Sequence, residues 1–256
     1  MPLDDHEVIE RLISSYVPLY NKDFPLILFW TPKSGCTTFN KWFFFQIGLL
    51  DKVNAMKEGK PHSYRSYIYR EEPKYSQQIT LNLLESKKDT YKLVRNPYKR
   101  AVSSFLHTLS HTWLKSVFHS YVNDGLSFKQ YLHHLKQLGS SVYKLDRHIA
   151  PQYIEGEERF INNYIQLEEF TKRIREIEMK YNLLNAPLSE LSKSSHHFSD
   201  RMTVKGDYAE KALTKDSFNG MFPTYDSFYN KETIELVKEI FKKDFEMYRY
   251  KKSYHL

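Results

Sequence analysis

The sequence predicts an α/β domain built on a parallel sheet. Three observations predict it. A short apolar run, Phe24–Trp30 (FPLILFW), leads through a small hydroxyl-rich loop into an aromatic helical segment. A second run, Asp89–Arg95 (DTYKLVR), leads through Asn96-Pro97 into another helix. A third candidate strand at residues 159–167 (RFINNYIQL) precedes a charged amphipathic segment. Short apolar runs alternating with helix-length segments are the pattern of buried parallel strands with crossover helices.

Each element has its own signal. Residues 4–20 place Val8, Leu12 and Ile13 at helical spacing behind leading acids, which favour a helix N-terminus. Phe24–Trp30 is too apolar to alternate, so it is a fully buried strand. After TPKSGCTTF, the segment NKWFFFQIGLL reads as a helix with a wide apolar surface, in which Phe39 packs as core. Residues 52–75 are polar and turn-prone, with an aromatic and basic mix from Tyr64 to Tyr75 that lines a sugar cleft or forms an exposed loop. Residues 76–88 are helical. Pro97 sits where the first turn of a helix tolerates it, and YKRAVSSFLHTL continues that helix. Residues 127–138 and 167–181 are helical, 185–226 are loop-rich, and Lys231–Tyr248 is an amphipathic helix with Ile234, Val237, Ile240 and Phe241 on one face. The whole of 1–256 is expected to form one domain, with 1–23 as a helical extension.

Composition removes several classes. The chain has 256 residues, 41% hydrophobic and 27% charged, which is ordinary for a folded protein and unlike a disordered one. One cysteine, Cys36, excludes an intrachain disulfide framework and a Cys-based zinc site. The first 25 residues carry acids and no long apolar core, unlike a signal peptide. No apolar run approaches the ~20 residues of a membrane span. The expected address is cytoplasmic, with the lumenal domain of an anchored enzyme as the alternative. The net charge of +7 is scattered, so no nucleic-acid partner is expected.

The informative stretches are the two strand-to-helix junctions. Pro32-Lys33-Ser34-Gly35-Cys36-Thr37-Thr38 joins a buried strand to a helix start, where unpaired N–H groups and the helix dipole favour an anion. Gly35 lets the backbone approach a ligand, Lys33 adds a mobile charge, and Ser34, Thr37 and Thr38 add hydroxyls. The spacing is not G-x-x-x-x-G-K-[ST], because the lysine comes first and there is one glycine. At the second junction Arg95 stands at the strand tip and Ser103 eight residues on, a guanidinium and a hydroxyl suited to a phosphate monoester. Cys36 lacks a partner that would make it a nucleophile and is read as a small loop residue.

These residues resemble a known family. PKSGCTTF is similar to the 5′-phosphosulfate loop of sulfotransferases that use 3′-phosphoadenosine 5′-phosphosulfate (PAPS), and RNPYKRAVSSF resembles their 3′-phosphate motif. The form R-N-P-Y-x-R-x-V-S is closest to the carbohydrate sulfotransferases. Asp146-Arg147-His148-Ile149-Ala150-Pro151-Gln152 is similar to their D-x-H-x-x-P-Q segment, and FYNKETIELVKEIFKKDFEMYRY to their closing helix. Phe39 stands where many relatives have Trp, and Ile165 where many have Glu.

The resemblance implies a P-loop-like three-layer fold with a central parallel sheet flanked by helices. It implies transfer of a sulfuryl group from PAPS to a hydroxyl or amine of a small-molecule or glycan acceptor, with no metal. It gives the 5′-phosphate to the backbone of Ser34, Gly35, Cys36, Thr37 and Thr38, the 3′-phosphate to Arg95 and Ser103, and the charge at the bridging oxygen to Lys33. Lys205, before Gly206, matches a late basic segment that contacts the 3′-phosphate. His62 is the first candidate for general base, with Glu71 and Glu72 as acidic alternatives, and His148 organises the acceptor or exchanges roles with His62. His107, His111 and His119 are read as structural. The competing functions are a small-molecule kinase on a related fold and a non-catalytic domain that binds PAP or another anion.

Overall fold

A computed structural model describes residues 3–56, 61–111, 113, 117–118, 125–193 and 199–254; His119 lies outside them. The elements run α1 (Asp5–Ser15), β1 (Leu26–Trp30), α2 (Cys36–Gln46), α3 (Leu50–Asn54), α4 (Pro61–Tyr67), α5 (Tyr75–Leu84), β2 (Asp89–Val94), α6 (Pro97–Ser110), β3 (Asn163–Gln166), β4 (Met202–Val204) and β5 (Phe222–Pro223). Further helices cover Phe128–Leu138, Phe170–Lys180, Lys231–Ile240 and Lys242–Met247. The chain divides into two compact units: residues 1–94 with 154–195, and residues 95–153 with 196–256. Among the described residues no helix is long and apolar enough to cross a membrane.

The first unit holds the predicted parallel sheet, in the order β1-β2-β3. Leu28 pairs with Tyr91, and Leu93 with Ile165. Every residue of β1 is buried, as its unbroken apolar run requires. Helix α1 stops at Ser15 rather than running to Tyr20. Pro18 disfavours helix in the residue before it, and Leu19 instead bridges Leu28 in antiparallel fashion. Val8, Ile9 and Leu12 of α1 and Phe39, Trp42, Phe43 and Phe44 of α2 fill the core.

The stretch 52–75 departs from the loop expected of it. It contains the end of α3, all of α4 and a short turn at Tyr69–Glu71. Tyr64, Tyr69 and Tyr75 lie in the core, so they line no sugar cleft. The Tyr69 hydroxyl donates to the Tyr20 carbonyl (2.8 Å) and the Tyr75 hydroxyl to the Pro18 carbonyl (2.8 Å). Their spacing in sequence follows no helical period, because each comes from a different local element.

The central strand carries a charge. Lys92 of β2 is buried and pairs with the equally buried Glu157, whose carboxylate also accepts the Ile154 N–H at 2.9 Å. The pair anchors the chain on its way into β3.

The second unit has its own core, in which Phe105, Phe128, Tyr131 and Phe228 cluster. The predicted loop-rich stretch 185–226 contributes the short parallel pair β4–β5. The helix expected over Lys231–Tyr248 is interrupted at Phe241, and its second piece buries Asp244 completely.

Removing one partner of a buried ion pair strands the other charge, at a cost of about 3–5 kcal/mol. Glu157→Gln is therefore expected to lower unfolding free energy by about that amount in chemical denaturation. A loss under about 1 kcal/mol would show that the pair is no anchor.

Candidate active site

The first unit turns from β1 into α2 through a loop with two left-handed residues. Lys33 has φ 67° and Gly35 φ 85°. Alternating left-handed residues curl a backbone so that its N–H groups converge into an anion-binding concavity. Gly35 has a second reason to be glycine: a Cβ there would stand 2.6 Å from Leu167 Cδ1. Ser34 is fully buried and its hydroxyl donates to the Thr31 carbonyl (2.5 Å), so its side chain holds the loop and its backbone N–H is the group left for a ligand.

Helix α2 begins at Cys36, earlier than the sequence pattern indicated, which puts Thr37 and Thr38 in its first turn. No side chain caps this end, whereas Asp4 caps α1 and Asn96 caps α6. The first-turn amides and the positive end of the dipole thus face the loop. Asn40 donates to the Cys36 carbonyl (2.8 Å) and steadies the turn. Burial pushes the Cys36 thiol up, against the pull of the Lys33 ammonium, so the sulfur stays a thiol and acts as a small filler. His62, on α4, places Nε2 3.4 Å from Thr37 Oγ1. This brings one base candidate to the loop. Glu71 and Glu72 are exposed.

The second unit holds Arg95 by its backbone and its side chain. The buried Gln152 amide accepts the Arg95 N–H (2.9 Å) and donates to the Arg95 carbonyl (2.8 Å). Gln152 is in turn fixed by Asp244, whose carboxylate accepts the Gln152 N–H (2.9 Å) and the Tyr153 N–H (2.8 Å). The Arg95 guanidinium donates to the Tyr225 hydroxyl (2.6 Å) and lies 5.6 Å from that ring's centre. Ser103 is half-buried on α6. Lys205 is exposed just after β4. The Thr224 N–H donates to the Val204 carbonyl (2.8 Å), which aligns the Lys205 segment with Tyr225.

His148 is built in just as firmly. Asp146 Oδ1 lies 2.7 Å from His148 Nδ1 and accepts the His148 backbone N–H (2.6 Å). The Ser104 hydroxyl donates to the His148 carbonyl (2.6 Å), and buried Arg100 donates to the carbonyls of Ala150 (2.7 Å) and Arg147 (3.1 Å). The His107 ring stacks on His148 at 4.3 Å, and the His111 ring lies tilted against His107. Burial alone would raise the Asp146 carboxyl, but the bonds from His148 outweigh it and hold the group below its ordinary range.

The motif residues thus gather in two sets. Lys33, Ser34, Gly35, Cys36, Thr37, Thr38 and His62 belong to the first unit; Arg95, Ser103, His148 and Lys205 belong to the second. Sequence reading missed Tyr225, for which no local signal exists, and the supporting roles of Arg100, Ser104 and Asp244. Those three lay inside the quoted motifs but read as context.

A carboxylate whose folded pKa is depressed stabilises the fold above its unfolded pKa, and that stability is lost as pH falls through the folded value. Asp146→Asn is expected to cost about 1.5–3 kcal/mol at neutral pH. The gap from wild type should close as pH falls below the ordinary aspartate value of 3.8. A gap independent of pH in denaturation curves would contradict this account.

Comparison with known proteins identifies the family of the chain. The profile described as the Sulfotransferase family matches residues 18–251, a span that includes both junctions and all four site residues of the second unit. No curated protein and no solved structure matches the chain. With a family match over nearly its whole length, set on a parallel α/β sheet with an anion-shaped strand-to-helix loop, the chain belongs to the sulfotransferase family and is a sulfotransferase.

Proposed function

We propose that the donor is PAPS and that the acceptor is a hydroxyl or amine of a carbohydrate or glycoconjugate. The observation that carries the donor reading is the loop of residues 31–38. Its two left-handed residues, its uncapped helix start and its glycine packed against Leu167 fit a phosphate oxyanion. When bound, PAPS supplies the sulfuryl group and a phosphate leaving group.

In this reading the backbone N–H groups of residues 34–38 hold the 5′-phosphate, joined by the Thr37 and Thr38 hydroxyls. The Lys33 ammonium offsets negative charge at the bridging oxygen. Arg95, Ser103 and Lys205 hold the 3′-phosphate, Arg95 with its backbone fixed by Gln152 and its guanidinium held by Tyr225. His62, beside Thr37, takes the acceptor proton. His148, with Nδ1 turned to Asp146, offers Nε2 to the acceptor and orients it.

Support for a carbohydrate acceptor comes from the second unit. The residues that carry the resemblance to the carbohydrate branch are bonded to one another rather than scattered. Arg100 and Ser104 bind the backbone of 147–150, and Gln152 links Arg95 to Asp244 of the closing helix. The branch motifs therefore act here as one hydrogen-bonded assembly.

Incubation with sulfur-labelled PAPS over glycans, lipids, peptides and small alcohols tests the proposal. Label is expected in the glycan fraction, with Lys33→Ala and Arg95→Ala reducing transfer by about 10²-fold or more. Label confined to peptides or lipids would overturn the acceptor. A folded wild type with no thermal shift on adding PAP would overturn the donor.

A further inference from the structure

The aromatic and basic stretch that follows His62 contains a residue the reaction above does not use. Arg65 lies on α4 and is only 6% exposed. Its Nη1 donates to the Val17 carbonyl at a long 3.4 Å and its Nη2 to the Ser66 hydroxyl at 3.0 Å. Its guanidinium sits 4.9 Å from the centre of the Trp30 ring, and its Nε is buried without a hydrogen-bond partner. All of these neighbours are neutral. Among the described residues no carboxylate pairs with it, whereas the buried Lys92 has Glu157. A guanidinium keeps its proton, so the chain carries an uncompensated buried charge.

The position of that charge is specific. Trp30 is the last residue of β1, directly before the loop of residues 31–35. His62 precedes Arg65 by one turn of the same helix and touches Thr37. Burial, chiefly, and then the Arg70 charge lower the Arg65 pKa, and the Arg65 charge in turn pulls the Cys36 thiol pKa down, as the smallest of several influences on it. The field of Arg65 therefore reaches the start of α2.

We propose that Arg65 is an anion-recognition residue of this unit: a fixed buried charge at the end of β1 that is balanced when the loop of residues 31–38 takes up a tetrahedral oxyanion. The inference rests on the reading of that loop as the donor's phosphate site. Arg65 acts beside Lys33 but differs in kind, since Lys33 is half-buried in the loop and Arg65 is locked in the core.

Arg65→Met keeps the length of the side chain and removes its charge. Apo stability and affinity for PAP are measured in parallel, by thermal shift and calorimetry, with inorganic sulfate as a second probe. The expected result is an apo melting temperature equal to or above wild type, with PAP and sulfate bound about tenfold more weakly. Arg65→Lys should recover part of that affinity. Wild-type affinity in Arg65→Met overturns the proposal, as does a lower melting temperature with affinity unchanged, which marks a structural arginine. Should Arg65→Met not fold, the Arg65 Nε–H resonance of labelled wild type decides. It is expected to shift at saturating PAP, and an unmoved resonance overturns the proposal. Wild type that binds sulfate but not PAP overturns the PAPS reading alone, and the sulfate affinities then decide for Arg65.

Discussion

A left-handed glycine packed against Leu167 sets the shape of the first unit's loop. Gly35 must adopt a positive φ to turn β1 into α2, and Leu167 occupies the space its Cβ would need. Everything nearby follows from that turn. The first amides of α2 stay uncapped, Ser34 turns inward to Thr31, Thr37 comes within reach of His62, and Cys36 serves as a small, half-buried thiol. The proposed anion site would depend on backbone more than on side chains, with one glycine and one lysine where nucleotide-binding loops of another class use several glycines.

The second unit solves a different problem, the placing of an arginine. Arg95 follows the last residue of β2, and its backbone is clasped at both N–H and carbonyl by Gln152. Gln152 is held by a buried carboxylate, Asp244, that accepts the backbone N–H groups of Gln152 and Tyr153. A buried carboxylate with such donors is stable only while all of them are in place. The interruption of the closing helix at Phe241 is part of this arrangement, since the second piece of that helix carries Asp244 inward. Arg100 and Ser104 of α6 do the same service for His148, holding the carbonyls of His148 and Ala150.

Much of this was legible in the sequence because its signals were local. The apolar run at Phe24–Trp30, the Asn96-Pro97 helix start and the loop at 32–38 each announce themselves within a few residues. The contributions of Tyr225, Asp244 and Arg65 were not legible, because each acts across a long stretch of chain. Arg65 was also masked by its setting: among Tyr64, Tyr67, Tyr69 and Arg70 it read as exposed or cleft-lining, yet Tyr64 and Tyr69 turn into the core with it while Tyr67 stays exposed. The opposite error occurred at Lys231–Tyr248, where an unbroken amphipathic pattern concealed the break that buries Asp244.

The backbone of the loop is proposed to grip the donor's phosphate. Amide resonances of isotopically labelled protein, followed as PAP is added, test it most directly. The account predicts that the largest shifts fall on the amides of residues 34–38. Saturable PAP binding that leaves those five amides unmoved would contradict it.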